Sequence, residues 1–244
     1  MTATSQSPAT LFTVRGLSKR FGRLPALGDV GFDVRAGEVL GLIGPNGAGK
    51  TTLFECLAGL LPADAGLVQA RGRGVAARER TALLFYLPDG IAPWPAQSVL
   101  WALDFTIGFF GGAPALRDDL VKQLDLVRVL QQPIGTLSKG ERKRVLLAIG
   151  LLTPQPVLLA DEPFDGLDLR QTREVAELLR AHATGGRTLF LSIHQIADAA
   201  RVCDRFVLLS SGRVRGEGTL EELSKLAAGR STSHDLEEVF LALT

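Results

Sequence analysis

Cysteine is scarce in this sequence, which has only Cys56 and Cys203 among 244 residues. Disulfide frameworks and zinc sites need several cysteines at suitable spacing, and these two are far apart. The spacing argues against both, and we expect two buried thiols in a reducing compartment. The hydrophobic fraction of 46% can build a sizeable core, in one large domain or two small ones.

A charge excess is also missing. Lys and Arg total 27 against 26 Asp and Glu, a formal net charge of +1, whereas nucleic-acid-binding proteins usually carry a basic excess or a basic face. The balance argues against a nucleic-acid partner, although it leaves room for a local patch. One stretch, TLSKGERKR at 136–144, has four basic residues in nine. It is a basic patch, a solvated helix face, or the phosphate-binding end of a helix.

The apolar runs are too short to cross a membrane. Residues 145–160, VLLAIGLLTPQPVLLA, are interrupted by two prolines, and residues 98–112, SVLWALDFTIGFFGG, carry Asp104. A spanning helix needs about 20 apolar residues. The first residues, MTATSQSPATLF, lack the basic start and apolar core of a signal peptide. We therefore expect a soluble, cytoplasmic chain.

Short apolar runs alternate with helical segments along the chain. Strands are predicted at LFTVRGL, GDVGFDV, EVLGLIG, TALLFYL, PVLLA and RTLFLS, with a hairpin around Ser211-Gly212. Helices are predicted over 50–60, most of 98–130, LRQTREVAELLRAHA and, after a polar linker AAGRSTSH, DLEEVFLAL. This alternation predicts an α/β fold with a mainly parallel sheet covered on both faces.

The segment GPNGAGKT, residues 44–51, follows a predicted buried strand and opens a helix, which is the setting of a P-loop. Its backbone N–H groups can wrap phosphate oxygens, and the helix N-terminus adds positive potential. Lys50 is expected to reach the β- and γ-phosphates, Thr51 to bind Mg²⁺ and Thr52 to contact the α-phosphate. A chance match to this pattern is expected in about one such chain in a hundred. The predicted nucleotide-binding residues are Gly44, Pro45, Asn46, Gly47, Ala48, Gly49, Lys50, Thr51 and Thr52.

Two further apolar strands end in side chains suited to phosphate chemistry. PVLLADEP, residues 156–163, presents Asp161 for Mg²⁺ and Glu162 to polarise the attacking water. The alternative is a helix N-cap and a surface glutamate. RTLFLSIH ends in His194, which a parallel sheet would bring to the same edge, although a buried structural histidine is common.

The order of these motifs, a P-loop, LSKGE, LLADEP, GLD and a histidine after a strand, resembles the ATP-binding cassette (ABC) ATPases over about residues 11–218. In that family the signature is most often Leu-Ser-Gly-Gly-Gln, here residues 137–141. The resemblance implies that Ser138 and the N–H groups near Gly140 bind the γ-phosphate of ATP held by another subunit. It favours the phosphate-binding interpretation of TLSKGERKR.

The basic residues Arg142, Lys143 and Arg144 are then expected on solvated or contacting faces of the signature helix. Lys139 and Glu141 depart from the family pattern by replacing Gly and Gln.

Three more residues are assigned by the resemblance. Phe21 falls where the family stacks an aromatic ring on adenine, the alternative being a core phenylalanine. Asp168 matches an aspartate that contacts the partner subunit. Asp89 stands where the family usually has a glutamine that contacts Mg²⁺ or the attacking water, and we expect it to reach Mg²⁺ through water.

The resemblance implies a single ABC ATPase domain over 1–244, with an N-terminal antiparallel β layer, a P-loop NTPase core and a helical insertion subdomain. The parts are the β layer and P-loop core at 1–87, the helical subdomain at 88–153, the rest of the core at 154–220 and C-terminal helices at 221–244.

The implied function is an ATP hydrolase that binds ATP and Mg²⁺ and powers a transporter. It would form a homodimer or heterodimer of ATPase subunits, drive a separate integral membrane permease and lie peripherally on the cytoplasmic face of the membrane, with no nucleic-acid partner. The aromatic stretch at 92–110 is a candidate permease groove, although core packing would also explain it. The end, DLEEVFLALT, resembles type-two ABC exporters. The alternatives are a non-transport ABC ATPase and a poorly hydrolysing regulatory partner in a heterodimer.

Overall fold

The computed structural model of the protein describes residues 9–227 and 235–244. The strands of these residues are β1 (Thr10–Phe21), β2 (Leu24–Arg35), β3 (Val39–Ile43), β4 (Ala65–Ala70), β5 (Arg73–Gly74), β6 (Leu84–Leu87), β7 (Val157–Asp161), β8 (Thr188–Ile193), β9 (Arg205–Ser210) and β10 (Arg213–Gly218). The α-helices of these residues are α1 (Lys50–Ala58), α2 (Val99–Phe110), α3 (Pro114–Gln123), α4 (Lys139–Leu152), α5 (Leu169–Thr184), α6 (Ile196–Val202), α7 (Leu220–Ala227) and α8 (Leu236–Leu243). Short 3-10 turns occur at Ala77–Ala82, Val127–Val129 and Ile134–Thr136.

The central sheet has the strand order β10-β9-β3-β8-β7-β6. All its pairings are parallel except that of β10 with β9. Every residue of β3, β7 and β8 is buried, as expected for strands that are covered on both faces. The predicted α/β fold is confirmed, and the carboxyl ends of these three strands meet at one edge.

A second, antiparallel sheet with the order β2-β1-β4-β5 forms the predicted β layer. Helix α1 packs between the two sheets, where the Phe54 ring centroid lies 4.9 Å from that of Phe190 on β8. Phe32 on β2 lies 5.3 Å from the same Phe190 ring. These aromatic contacts join the β layer and α1 to the central sheet.

Helices α2, α3 and α4 lie between β6 and β7 in the chain and pack on one another. Leu103, Leu120 and Val145 belong to the hydrophobic core of this unit. No described helix combines the length and the hydropathy that a membrane crossing requires.

The structure differs from the sequence prediction in the segment TALLFYL. The strand starts at Leu84, because Ala77–Ala82 forms a 3-10 turn. The Arg80 guanidinium pins this turn to α1 by donating to the Cys56 carbonyl oxygen at 2.8 Å. Residues 228–234 of the predicted polar linker lie outside the described residues.

The prediction of two buried thiols is confirmed, because Cys56 and Cys203 are both buried and free. Burial raises the pKa of the Cys56 thiol to about 11 and also raises the pKa of Cys203, so little thiolate exists at pH 8. We expect dithiobis(nitrobenzoate) to label the native chain slowly and to label two thiols per chain after unfolding. Rapid labelling of the native protein would contradict this burial.

Candidate nucleotide site

The glycine-rich loop between β3 and α1 adopts a conformation that depends on its glycines. Gly47 and Gly49 have φ angles of 79° and 104°, in the left-handed region that favours glycine. A Cβ atom at Gly44 would lie 2.3 Å from the Leu209 carbonyl oxygen, and one at Gly49 would lie 2.8 Å from the Ala26 carbonyl oxygen. The loop therefore packs too closely against its neighbours to accept larger residues at these two positions.

Lys50, the first residue of α1, is buried and extends back toward this loop. Its Nζ donates to the Gly44 carbonyl oxygen at 2.8 Å and lies 3.5 Å from Oε1 of Glu162. A cavity of about 350 Å³ opens beside it. The described residues lining this cavity are Ala26, Pro45, Asn46, Gly47, Gly49, Lys50, Thr51, Thr52, Asp89, Asp161 and Glu162. The structure therefore gathers most of the residues predicted to bind nucleotide and metal around one cavity.

Two oxygen-bearing side chains at the cavity form a donor set that suits Mg²⁺. The Thr51 hydroxyl donates to Oδ2 of the buried Asp161 at 2.8 Å, and hydroxyl and carboxylate oxygens are ligands that Mg²⁺ accepts. Within 9–227 and 235–244, no group of three His, Cys, Asp or Glu could hold a metal ion.

Ser192 is a site residue that the sequence motifs did not reveal. It lies at the end of β8, where Asp161 and Ser192 are paired in register. Its hydroxyl donates to Oδ1 of Asp161 and accepts from the Glu162 backbone N–H at 3.0 Å. One serine therefore orients both acidic residues.

Glu162 is held in a backbone conformation that is unusual for a glutamate. Its φ angle is 50°, in the left-handed region, and its N–H also contacts the Ser192 carbonyl oxygen at 3.2 Å. Glu162 Oε2 lies 2.5 Å from Nδ1 of His194, while Oε1 faces Lys50. The strained turn thus places the carboxylate between a histidine and the P-loop lysine. Strained backbone conformations of this kind are common at functional sites.

Tyr86, on β6, is another residue close to Asp161 that the sequence motifs did not reveal. Its pKa is raised by burial and by the nearby Asp161 carboxylate, so its hydroxyl stays protonated beside the predicted metal ligand.

The signature segment begins helix α4 with a capping box. The Ser138 hydroxyl accepts from the Glu141 N–H at 3.3 Å, and Glu141 Oε2 accepts from the Ser138 N–H at 2.9 Å. Hydrogen bonds from Ser138 lower the pKa of Glu141. Glu141, which departs from the family pattern, therefore satisfies the first turn of the helix.

Replacing Glu141 with alanine is expected to lower the free energy of unfolding by about 1 kcal/mol, because one half of the capping box is lost. Glu141→Gln is the matched control, since glutamine keeps an acceptor oxygen and should lose much less. Urea denaturation measures both. Equal losses in the two variants would contradict the capping role.

The signature segment packs on the loop that follows Glu162. A Cβ atom at Gly140 would lie 2.7 Å from the Gly166 carbonyl oxygen, and Lys139 Nζ lies 2.5 Å from Asp165 Oδ2. The hydrogen bond from Lys139 lowers the pKa of Asp165. In the same loop Asp168 caps α5 by accepting from the Gln171 N–H at 2.8 Å. Its predicted contact with a partner subunit stays a prediction.

The basic residues after the signature were expected on solvated or contacting faces, and Arg142 is partly exposed. The solvated alternative was wrong for Lys143 and Arg144, which make contacts inside the protein. They are 5% and 7% exposed, because α4 is enclosed by α2, α3 and the sheet. The Arg144 guanidinium donates to the Leu124 carbonyl oxygen at 2.7 Å, and Lys143 Nζ donates to Asp89 Oδ1 at 2.6 Å. The predicted metal contact of Asp89 stays a prediction beside this ion pair.

Phe21 ends β1 and is 51% exposed, so the alternative of a core phenylalanine was wrong. Lys19 Nζ lies 5.8 Å from its ring centroid. The Phe21 ring is therefore open to solvent, and its stacking on adenine stays a prediction.

The sequence profile of the family described as ABC transporter matches residues 27–165, more than half of the chain. Over 90% of its length the chain is 36% identical to the daunorubicin resistance ATP-binding protein DrrA3 of Streptomyces coeruleorubidus, 72% of which is covered. Over 85% of its length it is 37% identical to the hemin import ATP-binding protein HmuV of Streptomyces coelicolor, 78% of which is covered. Over 87% of its length the chain is 33% identical to the Nod factor export ATP-binding protein I of Ralstonia nicotianae, 68% of which is covered.

A solved structure described as an ATP-binding subunit of an ABC transporter has the same fold. It is 30% identical, with a TM-score of 0.85, and the match covers 96% of this chain and 99% of that one. The names of the similar proteins include both import and export, so the likeness by itself does not give a direction of transport.

Proposed function

The chain belongs to the ABC transporter family as an ATP-binding subunit that hydrolyses ATP, and on that premise we propose that two ATPase subunits close head to tail over two Mg²⁺-ATP. Closure would drive a separate membrane permease. The partner is a second copy of this chain or a related ATPase, and neither nucleic acid nor a fused permease is part of the proposal.

The position of the signature segment carries this proposal. Ser138 caps the 14-residue helix α4 and Gly140 lies in its first turn, and the N-terminus of this helix suits an anion. None of the described residues that line the P-loop cavity belongs to 137–141. A phosphate at this helix end would therefore come from a nucleotide held by another subunit.

The catalytic roles follow from the contacts within the cavity. Lys50, whose ammonium now contacts the Gly44 carbonyl oxygen and Glu162, would bind the β- and γ-phosphates. Thr51 and Asp161 would hold Mg²⁺, which when bound neutralises phosphate charge. Glu162 would take a proton from the attacking water, and His194 would orient the Glu162 carboxylate from its present distance of 2.5 Å.

The head-to-tail arrangement can be tested by mixing two inactive variants. Lys50→Met removes a P-loop lysine, and Ser138→Arg blocks a signature. Each homodimer would lack every complete site, whereas the mixed dimer would contain one site with an intact P-loop and an intact signature. Recovered hydrolysis on mixing is expected, and no recovery from two folded variants that form the mixed dimer would contradict the proposal.

An exposed aromatic surface on α2 supports a permease partner. Trp101, Phe105 and Phe109 follow one another at spacings of four residues, and their rings are stacked. Trp94 packs edge-on against the first two. These side chains remain well exposed, so packing of the subdomain does not account for them, and we assign them to contact with the permease at the cytoplasmic membrane face.

We propose export as the direction because of the C-terminal segment. DLEEVFLALT, which resembles the end of type-two exporters, forms helix α8 in this chain. Transport assays in vesicles of opposite orientation, carrying the chain with its permease, would distinguish export from import.

The alternative is a regulatory subunit that hydrolyses ATP poorly, and Asp89 in place of the usual glutamine favours it. Comparing ATP hydrolysis by the isolated chain with that by its Glu162→Gln form separates the two. Hydrolysis that depends on Glu162 supports a motor, and equal background rates in both forms support a regulatory partner.

A further inference from the structure

The ion pair between Asp89 and Lys143 joins the helical subdomain to the nucleotide cavity. Asp89 lies in the loop after β6 and lines the cavity together with Lys50 and Thr51. Lys143 lies in α4, the helix that the signature begins. Nζ of Lys143 lies 2.6 Å from Oδ1 of Asp89, so one contact connects the cavity wall to the signature helix.

The surroundings of Lys143 explain why this pair must form. The side chain of Lys143 is 6% exposed, against 38% for Asp89. Leu87, Leu146 and Pro163 line the small apolar space beside it. A buried ammonium without an anionic partner is costly, and besides Asp89 it contacts the Asp161 carbonyl oxygen at 3.4 Å. The lysine is thus held between the cavity carboxylate and the backbone of the predicted metal ligand.

We infer that Lys143 is a positioning residue that neutralises Asp89, so that a carboxylate can stand beside a triphosphate where the family usually has a neutral glutamine. The inference rests on the proposed function, because it concerns the same nucleotide site. The pair also sets the distance between the wall of the cavity and the helix that carries Ser138.

Charge balance gives the two single variants opposite effects. Lys143→Met leaves an uncompensated carboxylate near the γ-phosphate, which should raise the Kd for the non-hydrolysable triphosphate AMP-PNP about tenfold. Asp89→Asn leaves an uncompensated ammonium, which should lower that Kd. The double variant Asp89→Asn/Lys143→Met should return to within about twofold of the unmodified chain. The Kd for ADP should change less in every variant, because ADP lacks the γ-phosphate.

Isothermal titration with Mg²⁺-AMP-PNP and Mg²⁺-ADP measures these shifts, and urea denaturation reports stability separately. Lys122→Met, which removes an exposed lysine of the same subdomain, is the charge control and should leave both affinities unchanged. If Asp89→Asn, which leaves the buried ammonium of Lys143 without an anionic partner, does not fold, the expected loss of affinity in Lys143→Met still tests the inference.

Equal weakening of nucleotide binding by both single variants, or unchanged affinities, would overturn the inference. A pair that is only structural would not change the affinity in opposite directions when one or the other charge is removed. A loss of affinity in Asp89→Asn that occurs only with Mg²⁺ would instead assign Asp89 to the metal and also overturn it. Nucleotide binding is measured on single chains. A protein that shows the expected shifts but never dimerises would therefore count against the proposed head-to-tail closure and not against the pair.

Discussion

Glu162→Gln is expected to lower the rate of ATP hydrolysis by about 10²- to 10⁴-fold, which is the range for loss of a general base. The carboxylate is held by an unusual backbone conformation and faces both Lys50 and His194. Glutamine has nearly the same shape but cannot accept the proton from water. ATP binding should be retained, because the phosphate-binding residues Lys50 and Thr51 are unchanged.

A coupled assay for released phosphate measures this loss, and equilibrium binding of ATP checks that the site is intact. Glu177→Gln on the exposed face of α5 is the matched control and should hydrolyse ATP at the unmodified rate. A rate of ATP hydrolysis by Glu162→Gln within about tenfold of that of the unmodified chain would show that Glu162 is not the general base.

Lys50→Met is expected to raise the Kd for ATP by at least about a hundredfold, because charge-assisted hydrogen bonds to the phosphates are lost from a buried position. Lys50 is 7% exposed, and its ammonium contacts the Gly44 carbonyl oxygen within the P-loop. Methionine keeps much of the apolar stem while removing the charge. Calorimetric titration with Mg²⁺-ATP measures the effect.

The control for this variant is Lys225→Met, since Lys225 is an exposed lysine of α7 paired with Glu221. It should bind ATP as the unmodified chain does. Tight ATP binding by a folded Lys50→Met chain would mean that the P-loop lysine does not hold the phosphates.

Local sequence was sufficient where a feature depends on adjacent residues. The run GPNGAGKT needs its own glycines to turn and its own helix to follow, and Asp161 ends a strand that is apolar throughout. The central strands β3, β7 and β8 were recognisable because all their positions are buried. By contrast, β4 has the sequence AGLVQA, whose apolar part is short and follows a glycine, and three of its residues in a row are exposed, so the sequence did not indicate a strand there.

Features that depend on contacts between distant segments could not be predicted. Ser192 became a site residue only because β8 lies beside β7. The burial of Lys143 and Arg144 depends on how α2 and α3 cover α4, whereas their charge had suggested solvent. The contact of Lys143 with Asp89, 54 residues away, has no local signal in either segment.

The most direct test of head-to-tail closure is the oligomeric state of the Glu162→Gln chain, measured by light scattering with and without Mg²⁺-ATP. ATP should convert monomer to dimer, because closure is no longer followed by hydrolysis, and adding Ser138→Arg to this chain should abolish the dimer. A Glu162→Gln chain that binds ATP but stays monomeric would contradict closure between two copies of this chain.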